Sequence, residues 1–162
     1  MDARPAGPDA ALAPIELDVV VPCDARRAFD YFTRDIARWW PLRTHSCAKE
    51  DAASVAFEPG VGGGLVETAR DGTTHRWGTV RAWEPGRRVA FTWHPSRDPS
   101  TAQLVEVVFR DHPSGARVTL THGGWDALGE RAPAMRDAYR DGWAIVLGQA
   151  FRDYGVRARS RT

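Results

Sequence analysis

Residues 75–93 read HRWGTVRAWEPGRRVAFTW, two extended runs folded about a single turn at Pro85-Gly86. Proline presets φ at one central turn position, and glycine accepts positive φ at the next. With so short a connection, the flanking runs Thr74–Glu84 and Arg87–His94 pair as an antiparallel hairpin. In the second run Val89, Phe91 and Trp93 share one face, and Thr92 and His94 share the other. With Val89 inward, Phe91 and Trp93 line the interior and His94 faces solvent. The first run is ambiguous: Trp77, Thr79, Arg81 and Trp83 alternate against Gly78, Val80 and Ala82, so a bulge would exchange the faces. Arg76 and Arg81 fall on opposite faces of a regular strand and are expected in solvent.

Working outward, four more runs read as strands: Ser54–Glu58, Gly64–Ala69, Ala102–Asp111 and Arg117–Gly123. Turn signals separate them at Pro59-Gly60, Asp71-Gly72, Pro95 to Ser100 and Pro113-Ser114-Gly115, which makes residues 54–123 a meander of hairpins. Gly62-Gly63-Gly64 opens a strand rather than a helix, so it reads as a bend where the sheet curls and not as a phosphate cradle. Before the meander, Ile15, Leu17, Val19 and Val21 alternate as a further strand. Pro22-Cys23-Asp24 then stops it and caps a helix over Ala25–Phe32. A short helix, Arg34–Trp39, ends before Pro41, which disfavours helical geometry at Trp40.

After the meander, Met135, Tyr139, Trp143, Val146, Leu147, Ala150 and Tyr154 fall at spacings of three and four, predicting one long helix over Ala132–Tyr154. Gly142 and Gly148 each cost such a helix about 1 kcal/mol relative to alanine. A gap at Gly142 either brings the helix close to the sheet or leaves room for a ligand. The predicted organisation is a tail over residues 1–13, one domain over 14–156 and a short tail over 157–162. The predicted class is α+β: a curved antiparallel sheet wrapped around a long C-terminal helix, the helix-grip arrangement, with two short helices after the first strand.

The segments AFDYFT (residues 28–33), IARWWP (36–41), GGGLVE (62–67), VEVVFRD (105–111), GARVTLTHGGW (115–125) and YRDGWAIVL (139–147), with the hairpin quoted above, occur in an order that resembles the SRPBCC, or START-like, superfamily. Within it they resemble the branch of the C-terminal domain of the activator of the 90-kDa heat-shock protein ATPase. The resemblance covers residues 15–154. It implies a cavity between sheet and helix, and a family that includes binders of small apolar or aromatic molecules, aromatase/cyclases and metal-dependent hydrolases. Three readings stay open: a binder of a small apolar or aromatic molecule, a cyclase- or hydrolase-type enzyme using Glu67 and a histidine, and a protein-interaction domain related to a chaperone activator.

Composition narrows the partners. Twenty-two basic residues stand against 21 acidic ones and are interspersed with them, so the chain has no electrostatic footprint for nucleic acid. No run approaches the roughly 20 apolar residues of a membrane span, and the first residues lack the pattern of a signal peptide, so a cytoplasmic protein is expected. Cys23 and Cys47 lack metal-ligand spacing and are expected as free thiols. The expected partner is a small apolar or aromatic ligand, with no nucleic acid, membrane or cofactor, and a homodimer as an open alternative.

Six of the seven tryptophans and four of the five histidines lie in five short clusters far apart in the chain, so only folding can assemble them into a pocket. The residues expected to bind the ligand are Trp39, Phe57, Glu67, Trp77, Phe91, Trp93, Leu120, His122, Tyr139 and Trp143. The catalytic candidates are Glu67, His122 and His45. Leu65 and Glu67 share a face, so an inward Glu67 must be paired, hydrogen-bonded or protonated. Val118, Leu120 and His122 share a face, so the core side of their strand ends in a histidine. His45 lies on the loop after Trp39-Trp40-Pro41. Convergence of His45, Glu67, His75 and His122 would make a zinc-type ligand set, but no HExxH-like signature supports it and no metal is expected. Trp40, Trp83 and Trp125 are expected as rim residues or as structural residues beside turns. No GxSxG motif supports a serine nucleophile, and Cys47 has no orienting acid in sequence.

Overall fold

A computed structural model describes residues 12–159. Seven strands, β1 (Ile15–Val21), β2 (Ala52–Phe57), β3 (Gly64–Ala69), β4 (Thr74–Glu84), β5 (Arg88–Trp93), β6 (Gln103–His112) and β7 (Gly115–Gly123), form one antiparallel sheet in the order β1-β7-β6-β5-β4-β3-β2. The meander β2 to β7 is built from consecutive hairpins, and β1 closes the far edge by pairing with β7, Leu17 opposite Leu120. The turn glycines Gly72 and Gly86 adopt φ of +89° and +78°, as Asp71-Gly72 and Pro85-Gly86 require.

The ambiguity in β4 resolves into two bulges. Leu65 pairs with Gly78 and Val66 with Arg76, which leaves Trp77 as an extra residue. Val80 pairs with Phe91 and Ala82 with Ala90, which leaves Arg81 as another. Each extra residue shifts the alternation by one, so Trp77 and Val80 are both buried while Arg76 and Arg81 stay exposed.

Helix α1 (Ala25–Thr33) starts where Asp24 accepts a hydrogen bond from the Arg27 amide at 2.8 Å and buries Ala28, Phe29 and Phe32. Phe32 packs edge-on against Phe109 of β6 and Phe151 of the C-terminal helix, tying sheet and helix into one core. Helix α2 (Ile36–Trp39) stops at Trp40, whose extended backbone (φ −63°, ψ 129°) is the geometry Pro41 imposes on its predecessor.

The C-terminal helix comprises α3 (Ala132–Ile145), a π-wound stretch (Val146–Phe151) and α4 (Arg152–Arg159). It buries Trp143, Val146, Leu147, Phe151 and Tyr154 against the sheet. The assembly is a helix-grip fold. The close approach of helix to sheet occurs at Gly155, where an added Cβ would lie 3.1 Å from Val21 Cγ1. At Gly148 no atom lies within 4 Å of such a Cβ, and nothing in the structure explains that glycine.

Several expectations are corrected. The N-terminal tail over residues 1–13 falls mostly outside the described residues, but Leu12 packs on the core and Ala13 O accepts from Arg136 Nε at 2.5 Å. The last helix runs to Arg159, beyond the end expected at Tyr154. His94 is 5% exposed rather than solvent-facing. Strand β5 ends at Trp93, so alternation no longer governs the next residue, and the His94 ring turns back towards Arg97 O, 3.3 Å from Nδ1. Trp40 and Trp125 are 7% and 1% exposed, the structural alternative of the two expected for residues beside turns. Trp125 folds back so that its indole N–H donates to His122 O at 3.0 Å.

Candidate functional site

A cavity of about 450 Å³ lies between α3, the 40–49 loop and the ends of β4 and β5, within the size range of small-molecule sites. Its walls are the indoles of Trp40, Trp77, Trp93 and Trp143 with the ring of Tyr139. The indoles touch one another: Trp40 to Trp77 at 5.1 Å between centroids, Trp77 to Trp93 at 5.7 Å and Trp93 to Trp143 at 5.2 Å. Exposed Thr44, Lys49, Ser96 and Asp141 make a polar mouth. Gly142 provides the space on the helix side, since a Cβ there would meet only His45 Cδ2, at 3.9 Å.

Behind the wall sit two buried polar groups. Glu67 has no exposed surface. Its carboxylate accepts from the amides of Cys47 (2.7 Å) and Ala48 (2.8 Å) and from Trp77 Nε1 (2.9 Å). Burial alone would raise its pKa, but these hydrogen bonds to the charged form together outweigh it and hold the carboxyl below the ordinary glutamate value. Glu67 thus fixes the 40–49 loop against the sheet and aims Trp77. The need for donors inferred from sequence is met by a loop about 20 residues upstream.

His122 is likewise fully buried. Trp143 Nε1 donates to its Nδ1 at 2.9 Å. An indole nitrogen can only donate, so Nδ1 is unprotonated and Nε2 carries the hydrogen, 3.2 Å from Gln103 Oε1. Burial, with the charge of Arg97 added, pushes the His122 pKa down to about 3. Trp125 lies against the ring, 4.3 Å between centroids at 30°. Both nitrogens are engaged, so neither is free for a metal or for proton transfer in this arrangement.

Of the residues singled out from sequence, the structure brings His45, Trp77, Trp93, Tyr139 and Trp143 to the cavity wall. Glu67 and His122 lie one layer behind, each bonded to a wall indole. Trp39, Phe57, Phe91 and Leu120 are core residues that do not line the cavity: Trp39 packs on Phe32 and Phe151, and Phe57 on Phe91. Sequence reasoning missed Trp40, whose N–H donates to His45 O at 2.6 Å, and the loop residues Thr44, Ser46, Cys47 and Lys49. The signal was the buried Glu67, which requires donors from somewhere.

His45 bonds Thr44 Oγ1 through Nδ1 at 2.7 Å, and partial burial with Lys49 nearby lowers its pKa. The Cys47 thiol accepts from Ser96 Oγ at 3.1 Å, and burial raises its pKa. Both cysteines are free. Among the described residues no cluster of three or more His, Cys, Asp or Glu is placed to hold a metal ion, and no helix is long and apolar enough to cross a membrane.

The fold and this cavity define the class: a helix-grip domain with an aromatic-walled cavity between sheet and helix. A family model for Activator of Hsp90 ATPase homolog 1-like proteins matches residues 22–154, and the chain belongs to that family. Among solved structures, an anthrahydroquino-Gama-pyrone synthase complexed with SUM shares 31% identity at a TM-score of 0.60, over 88% of this chain and 97% of that one. An AHSA1-like protein from Aeromonas hydrophila (21% identity, TM-score 0.61, 90% and 93% coverage) and a protein from Mesorhizobium loti (20%, 0.58, 92% and 98%) share the fold. No curated protein matches the sequence.

Proposed function

We propose that the protein binds a planar aromatic small molecule between the sheet and the C-terminal helix. The observation that carries this reading is the connected set of four indoles, with one phenol, that walls the cavity, with Thr44, Lys49, Ser96 and Asp141 at its mouth. Flat π-faces favour offset or edge-on partners of the same kind over flexible aliphatic chains. Support comes also from the structure at 31% identity, which is described as an anthrahydroquino-Gama-pyrone synthase. The experiment is a titration of tryptophan fluorescence, checked by calorimetry, with a dihydroxyanthraquinone and with oleate. Saturable one-to-one binding of the anthraquinone in preference to oleate is expected. Absence of binding, or equal affinity for oleate, would overturn the reading.

The same neighbour favours a second reading, a cyclase-type enzyme on an aromatic substrate. Glu67 and His122 are then positioning groups for Trp77 and Trp143, and His45 is the candidate proton carrier, since it alone of the three lines the cavity. Chemistry that survives His45→Gln at the wild-type rate would remove it from that role. The interaction-domain reading gains little, because the exposed large apolar residues among those described are scattered: Val61 on the β2–β3 loop, Leu104 on β6, and Ile145 and Val156 on separate turns of the C-terminal helix.

A further inference from the structure

Four tryptophans wall the cavity, and among the described residues the indole N–H groups of three have protein acceptors: Trp40 bonds His45 O, Trp77 bonds Glu67 and Trp143 bonds His122. The fourth does not. Trp93 Nε1 is buried without a hydrogen-bond partner, in a side chain only 4% exposed that lines the cavity. A buried donor left unpaired costs about 1–3 kcal/mol, and native structures leave few such groups without an acceptor of some kind.

Beside Trp93 stands Tyr139, with ring centroids 6.3 Å apart. The Tyr139 hydroxyl oxygen accepts from the Arg97 guanidinium at 3.2 Å. With its oxygen engaged by a pure donor, the hydroxyl directs its own proton away from Arg97. Arg97 in turn bonds Thr101 O, Thr101 Oγ1, Trp93 O and Gln103 Oε1. Among the described residues no carboxylate lies within ion-pair distance of it. A positive charge held by neutral acceptors raises the potential at the Tyr139 end of the cavity and favours an electron-rich oxygen there.

We infer that Trp93 Nε1–H and the Tyr139 hydroxyl form a two-donor anchor for a carbonyl or phenolate oxygen on the aromatic ligand, with Arg97 as the charge behind it. This deepens the aromatic-binding reading and rests on it. It assigns the ligand class as a planar aromatic that carries an acceptor oxygen at its edge. Paired donors beside a positive charge also stabilise developing negative charge on such an oxygen.

The test uses fluorenone and fluorene, planar tricyclic molecules of nearly the same shape that differ in one carbonyl oxygen, titrated against wild type, Trp93→Phe and Tyr139→Phe. Wild type is expected to bind fluorenone about tenfold more tightly than fluorene, one hydrogen bond's worth of discrimination. Trp93→Phe keeps an aromatic ring in the wall but removes the N–H, and is expected to weaken fluorenone severalfold more than fluorene, so that the preference shrinks; Tyr139→Phe is expected to shrink it likewise. Binding of both ligands with an unchanged preference in Trp93→Phe overturns the anchor but leaves the aromatic site standing. Binding of neither by wild type overturns both. Should the variants fold poorly, the indole ¹H–¹⁵N resonance of Trp93 in the wild-type protein decides: a downfield shift with fluorenone and not with fluorene supports the anchor, and equal shifts overturn it.

Discussion

Gly142 offers a substitution whose effects on stability and on binding should part company. The residue lies inside α3 and lines the cavity, and a Cβ there would contact only His45 Cδ2, at an ordinary 3.9 Å. Gly142→Ala therefore gains helix propensity and loses unfolded-state entropy without a clash, a gain of about 0.5–1 kcal/mol. For a domain of this size, 1 kcal/mol moves Tm by about 3 °C. Gly142→Leu carries its side chain into the space between His45 and the indoles, so it should fold at least as stably as wild type while losing aromatic-ligand affinity by about 100-fold or more. Two other helix glycines serve as controls. Gly148→Ala meets no atom within 4 Å and should stabilise by a similar amount with binding unchanged. Gly155→Ala meets Val21 Cγ1 at 3.1 Å and should be neutral or destabilising. Urea denaturation at constant slope reads stability, and fluorescence titration reads binding. Wild-type affinity in a folded Gly142→Leu protein would refute the placement of the ligand against α3.

Two further predictions concern the layer behind the wall. His122 is neutral when folded, with a pKa of about 3, against about 6.5 when unfolded. Between those values the unfolded chain binds the extra proton, so stability is complete above about pH 6.5 and falls with pH, by on the order of 4 kcal/mol at pH 3; urea melts from pH 7 to pH 4 should show this slope in wild type and a flatter one in His122→Gln, and a flat wild-type profile would refute the buried neutral imidazole. Glu67→Gln turns one acceptor into a donor facing Cys47 N, Ala48 N or Trp77 Nε1; a loss of about 2–3 kcal/mol and faster hydrogen exchange at the Cys47 and Ala48 amides are expected, and unchanged protection there would remove Glu67 as the anchor of the loop.

The fold was legible because it rests on local signals. Pro85-Gly86 and Asp71-Gly72 fix turns, alternation fixes Ile15–Val21, and the three-and-four spacing from Met135 to Tyr154 fixes the last helix, all within a few residues of what is observed. The faces of β4 were not legible, because a bulge at Trp77 against β3 and another at Arg81 against β5 each shift the register by one residue, and no turn residue or periodicity within the run marks where they fall. The 40–49 loop was opaque for a related reason. Its conformation is set by Glu67 on β3, a partner about 20 residues away, and no periodicity in the loop records that.

The same logic explains how the polar residues sort themselves. Alternation identified Glu67 and His122 as inward-facing, and an inward-facing polar group has to find partners. It does not say whether those partners are ligand atoms or protein atoms. Here the tryptophans decide: each indole is an apolar wall with one donor, and Trp77 and Trp143 spend that donor on Glu67 and His122. The two groups that looked most like ligand contacts are thereby saturated, and the hydrogen-bonding capacity of the cavity passes to the tryptophan left without an acceptor, Trp93, and to the tyrosine whose oxygen is already taken by Arg97. A cavity whose polar residues were all satisfied would select ligands by shape alone. One with an unspent donor beside an arginine selects for an oxygen at a defined edge of the ring system.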